Sequence, residues 1–273
     1  MMLSKQFISS QMFSSRLISV LIIAVCIILT SCAKRPPESD VDARLAYDEA
    51  NDPFEPLNRQ IFAFNTLFDD AILAPTARLY RQFGPPDVRD GIANFVTNWR
   101  EPVTFVNDVL QAEPKRAGNS LSRFAINSTF GLLGVFDTAS NWGIKGHNED
   151  FGETFAVWGV PEGPFIMLPF LSASNGRDFA GFVVDFFLDP VSLWLSHKNW
   201  TYVRYGRLAL RGLIYREENL ETLDDLSKSS TDLYATIRSS YRQLRLYDIN
   251  NGDLDTSEED DLFDEEFDDD FEF

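Results

Sequence analysis

Helix-like spacing of apolar residues, interrupted repeatedly by proline, constrains this chain more than any other feature. From Phe54 to Phe68 the apolar residues follow one another in steps of three and four, which places them on one face of a helix. Similar spacing runs through residues 88–99, 103–111, 114–128, 178–188, 200–217 and 231–247. The alternation that marks a half-buried strand is scarce, and no segment repeats at a fixed period. The sequence therefore predicts a mainly α protein.

The start of the first of these helices carries its own signals. Asp52 precedes Pro53, and proline suits the first helical position because its missing N–H would have no partner there. Glu55 stands three residues after Asp52, as in a capping box, so Asp52 is predicted to cap this helix. Pro75 is predicted to end or to kink it.

Two segments hold too many glycines or prolines to be helices. The first, 131–146, contains Gly131, Gly134, Gly143 and Gly146. The second, 159–175, contains Pro161, Pro164 and Pro169 among large apolar residues. Both are predicted to be long loops. Because loops normally run over a wet surface, the apolar second loop is expected either to pack inside the domain or to press against lipid.

The N-terminus has the composition of a secretory signal peptide. Lys5 and Arg16 precede an apolar run, 17–29, of about the length expected for a signal and shorter than the about 20 residues of a spanning helix. The residues Leu29-Thr30-Ser31-Cys32 resemble the bacterial lipobox, in which the cysteine receives diacylglycerol and becomes the new N-terminus. An ordinary cleaved signal with an incidental cysteine is the alternative.

A lipobox divides the chain into functional segments. Residues 1–31 are then the signal peptide, Cys32 is the lipid anchor, and 32–47 form a polar tether. Ala33 stands where lipoproteins retained in the inner membrane carry aspartate, which points to the outer membrane. Cys26 leaves with the signal and Cys32 is acylated, so the mature chain has no thiol for a disulfide.

The net charge of −18 is concentrated at the C-terminus. Residues 253–273 contain thirteen acidic residues and no basic one; subtracting these leaves −5 for residues 1–252. The tail, 251–273, is predicted to be disordered, with an arm that folds on binding a basic partner as the alternative. The body has no basic footprint of the kind that phosphate backbones require, so no nucleic-acid partner is expected.

Catalytic and metal-binding patterns are weak throughout. The chain has two histidines, His147 and His197, and a metal site needs three or four converging ligands. Neither a G-x-S-x-G elbow nor a G-x-x-x-x-G-K-[ST] phosphate loop occurs. The sequence thus predicts no enzyme, no metal and no cofactor.

One charged pattern does stand out. Arg204, Arg207 and Arg211 are three and four residues apart, hence on one helical face. Aromatic residues lie among them, namely Trp200, Tyr202, Tyr205 and Tyr215. Arginine with Trp and Tyr on an amphipathic helix is typical of the headgroup boundary of a membrane. An exposed basic face paired with nearby acids is the alternative.

Short motifs in a fixed order give the chain a family resemblance. They include DPFEPLNR at 52–59, FAFN at 62–65, EP at 101–102, RF at 123–124, EDFG at 149–152, GP at 163–164, LP at 168–169 and RD at 177–178. Together they resemble the MlaA (VacJ) family of outer-membrane lipoproteins of phospholipid transport. The resemblance defines a single helical domain over residues 48–250.

The resemblance implies a ring-like helical domain with long Gly/Pro-rich loops, embedded in the inner leaflet of the outer membrane around an amphipathic channel. It implies anchoring on the periplasmic side, association with trimeric porins, and delivery of phospholipid to the soluble periplasmic carrier MlaC. The implied function is removal of mislocalised phospholipids from the outer leaflet, which maintains lipid asymmetry. Two alternatives remain open: a porin scaffold that transports no lipid, and a phospholipase centred on His147.

Within that interpretation, the residues are expected to divide into three roles. Arg204, Arg207 and Arg211 would meet phospholipid headgroups. Phe64 and Asn65, on the helix that follows Phe54, would hold the channel wall. The channel would be shaped or gated by Gly131, Gly134, Gly143, Gly146, Pro161, Pro164 and Pro169.

Overall fold

A computed structural model describes residues 35–198 and 200–253. The predicted signal peptide, the predicted lipid anchor Cys32 and the acidic residues beyond Asp253 lie outside the described residues. The helices are α1 (Val41–Ala50), α2 (Glu55–Phe68), α3 (Ala74–Phe83), α4 (Pro86–Asn98), α5 (Glu101–Leu110), α6 (Pro114–Thr129), α7 (Thr138–Asn141), α8 (Phe151–Val157), α9 (Gly176–Leu188), α10 (Pro190–His197), α11 (Thr201–Glu218), α12 (Leu220–Ser229) and α13 (Leu233–Ile249). The mainly α prediction is confirmed. Within the described ranges, no helix combines the length and apolar character that crossing a membrane requires.

Helices α2 and α3 are joined without a break by a π-helical turn, Asp69–Leu73. Pro75 lies in the first turn of α3, directly after this turn. Proline has no N–H to give to the preceding turn, and its ring crowds the carbonyl four residues earlier, so the hydrogen-bond pattern widens there. Pro75 therefore marks a change in helix type, and the chain continues as helix beyond it.

The prediction that Asp52 caps α2 is wrong. The N-cap is Phe54, which makes no side-chain capping bond. The Asp52 carboxylate is buried and accepts hydrogen bonds from Asn58 Nδ2 (2.7 Å), Arg238 Nη1 (3.0 Å) and the Tyr234 hydroxyl. Because Tyr234 and Arg238 on α13 bind the carboxylate, it is not available to cap α2. These contacts, which span more than 180 residues of sequence, connect the start of α2 with the last helix of the domain.

The apolar loop 159–175 contains a β-hairpin. Strands β1 (Phe165–Leu168) and β2 (Ser172–Asn175) pair antiparallel, with Phe165 opposite Asn175 and Leu168 opposite Ser172. Phe165 and Met167 are 2% and 1% exposed and form a core with Tyr234, whereas Phe170 and Leu171 at the tip are exposed. The base of the loop therefore packs inside the domain, as one of the two expectations had it, whereas its tip is exposed.

The interior of the domain is unusually polar. Among the described residues, nineteen polar or charged ones are buried against twelve hydrophobic ones. The buried charges are paired: Arg123 binds Glu101 (2.7 Å) and Asp137 (3.1 Å), and comparable ion pairs link helices across the domain. Since an isolated buried charge is very costly, these networks are what makes such an interior possible.

The exterior is correspondingly apolar. Thirty-four large hydrophobic side chains of the described residues are exposed, and some lie in contiguous groups. The loop after α6 presents one such group, namely Phe130, Leu132, Leu133, Phe136 and Trp142. Single exposed apolar residues are ordinary, but contiguous groups indicate a surface that meets lipid or another protein.

Two of the predicted loop glycines hold this apolar loop in place. A Cβ on Gly131 would lie 2.2 Å from the Phe136 carbonyl oxygen. Gly134 has a φ of +98°, and a Cβ there would lie 2.4 Å from the Asn98 Cβ. Asn98 Nδ2 in turn donates to the Leu133 carbonyl (3.3 Å). The segment 131–146 is non-helical as predicted, apart from the single turn of α7.

Candidate functional site

Helix α11 places the three predicted arginines in three different surroundings. The Arg204 guanidinium lies 3.7 Å from the centre of the Phe186 ring and donates to the Phe186 carbonyl. Arg207 pairs with Asp189 and lies 5.9 Å from the centre of the Trp99 ring. The guanidinium of Arg211 makes neither a hydrogen bond nor an ion pair with any described residue. The alternative of a face paired with acids thus fits Arg207 and does not fit Arg211.

Arg211 is accessible and at the same time enclosed. Arg211 is an exposed residue. Its pKa is nevertheless lowered from the usual value to about 9, by repulsion from Arg100 first, then by loss of hydration, then by repulsion from Arg207. A side chain that solvent can reach but that protein surrounds on most sides lies in a concavity. We interpret this combination of exposure and lowered pKa as a recess inside the domain into which Arg211 projects.

Arg100 belongs to the same group, although no sequence pattern pointed to it. It is the residue immediately before α5, and its Nη2 donates to the Glu149 carbonyl (3.3 Å). Its Nε is buried and has no hydrogen-bond partner among the described residues. Arg100 and Arg211 are more than a hundred positions apart, and no local pattern could have connected them. We call Arg100, Arg207 and Arg211 the arginine cluster.

Asp185 on α9 faces the arginine cluster. Its Oδ2 accepts from the Phe151 backbone N–H (3.3 Å), while its Oδ1 is buried without a hydrogen-bond partner among the described residues. Burial, together with repulsion from Asp150, raises the pKa of Asp185 to about 6, against the opposing attraction of Arg100. Strongly shifted carboxyl groups in a recess are typical of functional sites.

Asp150 is held away from the arginine cluster by other partners. Its carboxylate takes two hydrogen bonds from Arg245 (2.7 and 3.0 Å) and caps α8 through a complete capping box with Glu153. Burial and the neighbouring Asp150 charge raise the pKa of Glu153 to about 9. Asp150 therefore has a structural role. Asp185, which also receives a hydrogen bond from the Asn107 side chain, keeps Oδ1 without a partner among the described residues.

A second concavity lies at the hairpin tip. This hairpin cavity measures about 430 Å³ and is bounded by the end of α2, the π-helical turn, the hairpin tip and helices α11 to α13. Its lining is amphipathic: it combines Phe68, Phe170, Leu171, Leu223 and Leu226 with Asp69, Arg78, Arg216, Asp224 and Lys228. Such a space can accommodate both an apolar chain and a polar group.

Asn65 fastens the hairpin tip to α2. Its Nδ2 donates to the Leu168 carbonyl (2.9 Å), and its Oδ1 accepts from the Phe170 N–H (2.9 Å). Phe64 and Phe68 contact the Phe170 ring edge to face, with centroids 5.0 and 5.1 Å apart. One asparagine thus satisfies both backbone groups on either side of Pro169.

The structure brings some of the predicted channel residues together and separates others. Phe64 and Asn65 meet the hairpin tip that contains Pro169. Pro164 lies at the hairpin base, where its carbonyl accepts from the Gly176 N–H, and exposed Pro161 precedes it. The four glycines belong to another region, beyond α6: Gly146 abuts the Arg123 guanidinium, and Gly143 faces open space with a φ of +85°.

His147 does not form a catalytic triad. Its Nε2 faces both Asp108 oxygens (2.9 and 3.1 Å), and the same nitrogen is the one nearest Ser120 Oγ (3.4 Å). Ser120 is 0% exposed and donates directly to Asp108 (2.7 Å). A triad needs the serine on one ring nitrogen, the acid on the other, and a nucleophile that substrate can reach. This geometry gives no support to a phospholipase.

The same residues fit a metal ion poorly. Ligand atoms of Asp108, His147 and Glu149 lie within 4.8 Å of one another. Arg116, however, pairs with Glu149 and lies 3.6 Å from Asp108, so a guanidinium already supplies the positive charge that the two carboxylates require. The cluster is complete as an ion network.

The fold and the site together define a class of protein: a helical body with a polar interior, an apolar exterior and an accessible arginine cluster. The MlaA lipoprotein family model matches residues 50–248, and the chain belongs to this family. The resemblance seen in the sequence is therefore confirmed. Named members of the family are transport-system lipoproteins, which also confirms the expectation that the chain is not an enzyme.

Similar proteins and a solved structure agree with this assignment. The intermembrane phospholipid transport system lipoprotein MlaA of Haemophilus influenzae is 34% identical over 235 residues, covering 85% of this chain and 90% of that protein. The Escherichia coli lipoprotein of the same name is 33% identical over 208 residues, covering 75% and 80%. A solved structure described as a basis for maintenance of bacterial outer membrane lipid asymmetry matches with a TM-score of 0.66 and 31% identity, covering 72% of this chain and 98% of the other.

Proposed function

We propose that this protein is an outer-membrane lipoprotein that removes mislocalised phospholipids from the outer leaflet and so maintains lipid asymmetry. In this proposal Cys32 carries the lipid anchor on the periplasmic side. The helical body forms a ring embedded in the inner leaflet. Phospholipid passes through an amphipathic channel in that ring to the soluble periplasmic carrier MlaC, and trimeric porins hold the ring in position.

The observation that carries the proposal is the reversed distribution of polar and apolar residues. Exposed side chains such as Leu67, Phe83, Phe130 and Trp194 meet water in an isolated chain, and each would gain about 1.5–3 kcal/mol when fully buried. A body immersed in one leaflet buries many of them at once without crossing the bilayer. The absence of a spanning helix among the described residues is compatible with such an arrangement.

The anchor fits the same location. An N-acylated, diacylglycerol-bearing Cys32 would hold three acyl chains in the membrane, each CH₂ contributing about 0.8 kcal/mol. Helix α1 begins at Val41, within the segment expected to be the tether, so few residues separate the anchor from folded structure. The body would therefore remain against the leaflet that holds the anchor.

The two concavities provide the chemistry that passage of a phospholipid needs. Moving a headgroup through hydrocarbon is costly because its polar groups lose water without replacement. The arginine cluster would receive the phosphate, and the amphipathic hairpin cavity would receive acyl chains beside the hairpin tip. Asn65 and Pro169 would control the position of that tip, and the glycines after α6 would shape the wall. No bond is broken, so no catalytic group is needed.

Lipid extraction tests this function against its two alternatives. Full-length protein purified from membranes in mild detergent is expected to contain bound phospholipid, and cells lacking the protein are expected to accumulate phospholipid in the outer leaflet. Protein free of phospholipid that still binds porin would favour the scaffold. Release of free fatty acid from added phospholipid would favour the enzyme. Either result would contradict transport.

A further inference from the structure

We propose that the recess between α9 and α11 selects zwitterionic phospholipid headgroups, with phosphate bound by the arginine cluster and ammonium bound by Asp185. This inference deepens the proposed function and rests on it.

Asp185 and Asp189 are four residues apart, so they lie on one side of α9 at its C-terminal end. Arg207 and Arg211 are likewise four apart on α11. Asp189 and Arg207 form an ion pair, which brings these two faces together. Asp185 and Arg100 both bind the segment 149–151, Asp185 at the Phe151 N–H and Arg100 at the Glu149 carbonyl, so these two groups lie close to one another.

The second pair is left open. The charge of Asp185 raises the pKa of Arg211, yet no ion pair or hydrogen bond joins the two side chains in the described structure. Among the described residues, Asp185 Oδ1 is buried without a hydrogen-bond partner, and so are Arg207 Nη1 and Arg100 Nε. Such unpaired atoms require an explanation, and a ligand with both signs of charge is the one that we propose.

The balance of charge assigns each end of the ligand. Repulsion from Arg100 has the largest effect on the pKa of Arg211 and exceeds the opposing attraction of Asp185 and Asp150. Positive charge therefore dominates around this guanidinium. An anionic group placed there relieves the repulsion among the three arginines. The lone carboxylate of Asp185 then favours a hydrogen-bonding cation beside that anion, which is the arrangement of phosphoethanolamine.

The test uses delipidated full-length protein equilibrated with detergent-dispersed phosphatidylethanolamine and phosphatidylglycerol in equal amounts. The protein is expected to retain phosphatidylethanolamine over phosphatidylglycerol by about tenfold, the factor that one charge-assisted hydrogen bond supplies. In Asp185→Asn this preference is expected to fall to about one, because phosphatidylethanolamine loses the contact to its ammonium while phosphatidylglycerol is retained as before. The asparagine keeps an oxygen for the Phe151 N–H, so α8 retains its contact.

Two controls separate charge recognition from folding. Asp225→Asn removes an exposed acid on α12 whose carboxylate pairs with Lys228 (3.6 Å), and it is expected to keep the full preference. N-acetyl phosphatidylethanolamine, which has no ammonium, is expected to lose the preference in the unsubstituted protein, where no variant has to fold.

The outcomes distinguish this inference from the proposed function. An equal uptake of both lipids by the unsubstituted protein, or a preference that survives Asp185→Asn, overturns headgroup selection while leaving transport intact. Failure of the protein to bind either phospholipid counts against transport itself.

Discussion

The carboxylate of Asp189 pairs with the guanidinium of Arg207, and through this contact the end of α9 is fixed against the middle of α11. Asp189 is 3% exposed as a side chain and also accepts from the Ser192 hydroxyl (2.7 Å) and the Val191 N–H (3.0 Å), so it is held rigidly at the start of α10. This pair holds the end of α9 and the middle of α11 together beside the unpaired guanidinium of Arg211. Charged groups that do not collapse onto each other are prepared to meet a ligand.

Arg211→Gln is expected to reduce the phospholipid that copurifies with the protein by about tenfold, because a charged contact to the phosphate is lost. Arg204→Gln is the matched control on the same helix. Its guanidinium is already engaged by Phe186, so bound phospholipid is expected to stay unchanged. Phosphorus analysis of extracted lipid measures both. Equal loss in the two variants would show that the helix as a whole, and no single arginine, determines binding.

Asp185→Asn is expected to stabilise the lipid-free protein at pH 8 and to leave its stability unchanged at pH 4. The pKa of Asp185 is raised by burial to about 6, so the folded state binds its proton more tightly than the unfolded state does. Ionisation therefore costs stability as the pH rises from about 4 through about 6, by about 1–3 kcal/mol at pH 8. Urea unfolding at the two pH values measures the difference. A variant that is less stable at pH 8 would contradict this assignment.

Asn65→Ala is expected to release the hairpin tip while leaving the hairpin base folded. The substitution removes both hydrogen bonds that flank Pro169, at a local cost of about 1–3 kcal/mol. Amide hydrogen exchange is expected to accelerate at Phe170 and to stay slow at Met167, whose N–H is held by Asn58. Asn94→Ala, which removes one long contact (3.4 Å) at another loop, serves as control. Unchanged exchange at Phe170 would show that the aromatic contacts alone hold the tip.

Cys32→Ser is expected to accumulate as an uncleaved precursor, because serine cannot receive diacylglycerol. Cys26→Ser, within the part expected to be removed, is the control and should remain with the membrane. Fractionation and the mobility of the mature band report both. Membrane retention of a cleaved Cys32→Ser chain would mean that the body alone provides attachment.

Local patterns predicted the helices well. The segments 88–99, 114–128 and 178–188 correspond to α4, α6 and α9 within two residues at each end, since helical periodicity depends on neighbours along the chain. The hairpin was missed because strands of four residues are too short to show alternation clearly. Asp52 was wrongly predicted to cap α2 because its carboxylate binds Tyr234 on the distant helix α13, a contact that no local pattern shows.

The candidate site was only half visible in the sequence. Helical spacing identified Arg207 and Arg211, since both lie on α11. It could not find Arg100 or Asp185, whose roles depend on how α5 and α9 approach α11. Neither could it separate Arg204 from the other two, because the difference lies in Phe186 on another helix.

The polar interior has a thermal consequence. The curvature of a protein's stability with temperature comes mainly from apolar surface that becomes hydrated on unfolding. Here much of the apolar surface is already on the outside, and the interior is held by ion networks such as that of Arg123. The heat capacity change of unfolding should therefore be small for a domain of this length, and its stability should vary only gently from cold to warm conditions.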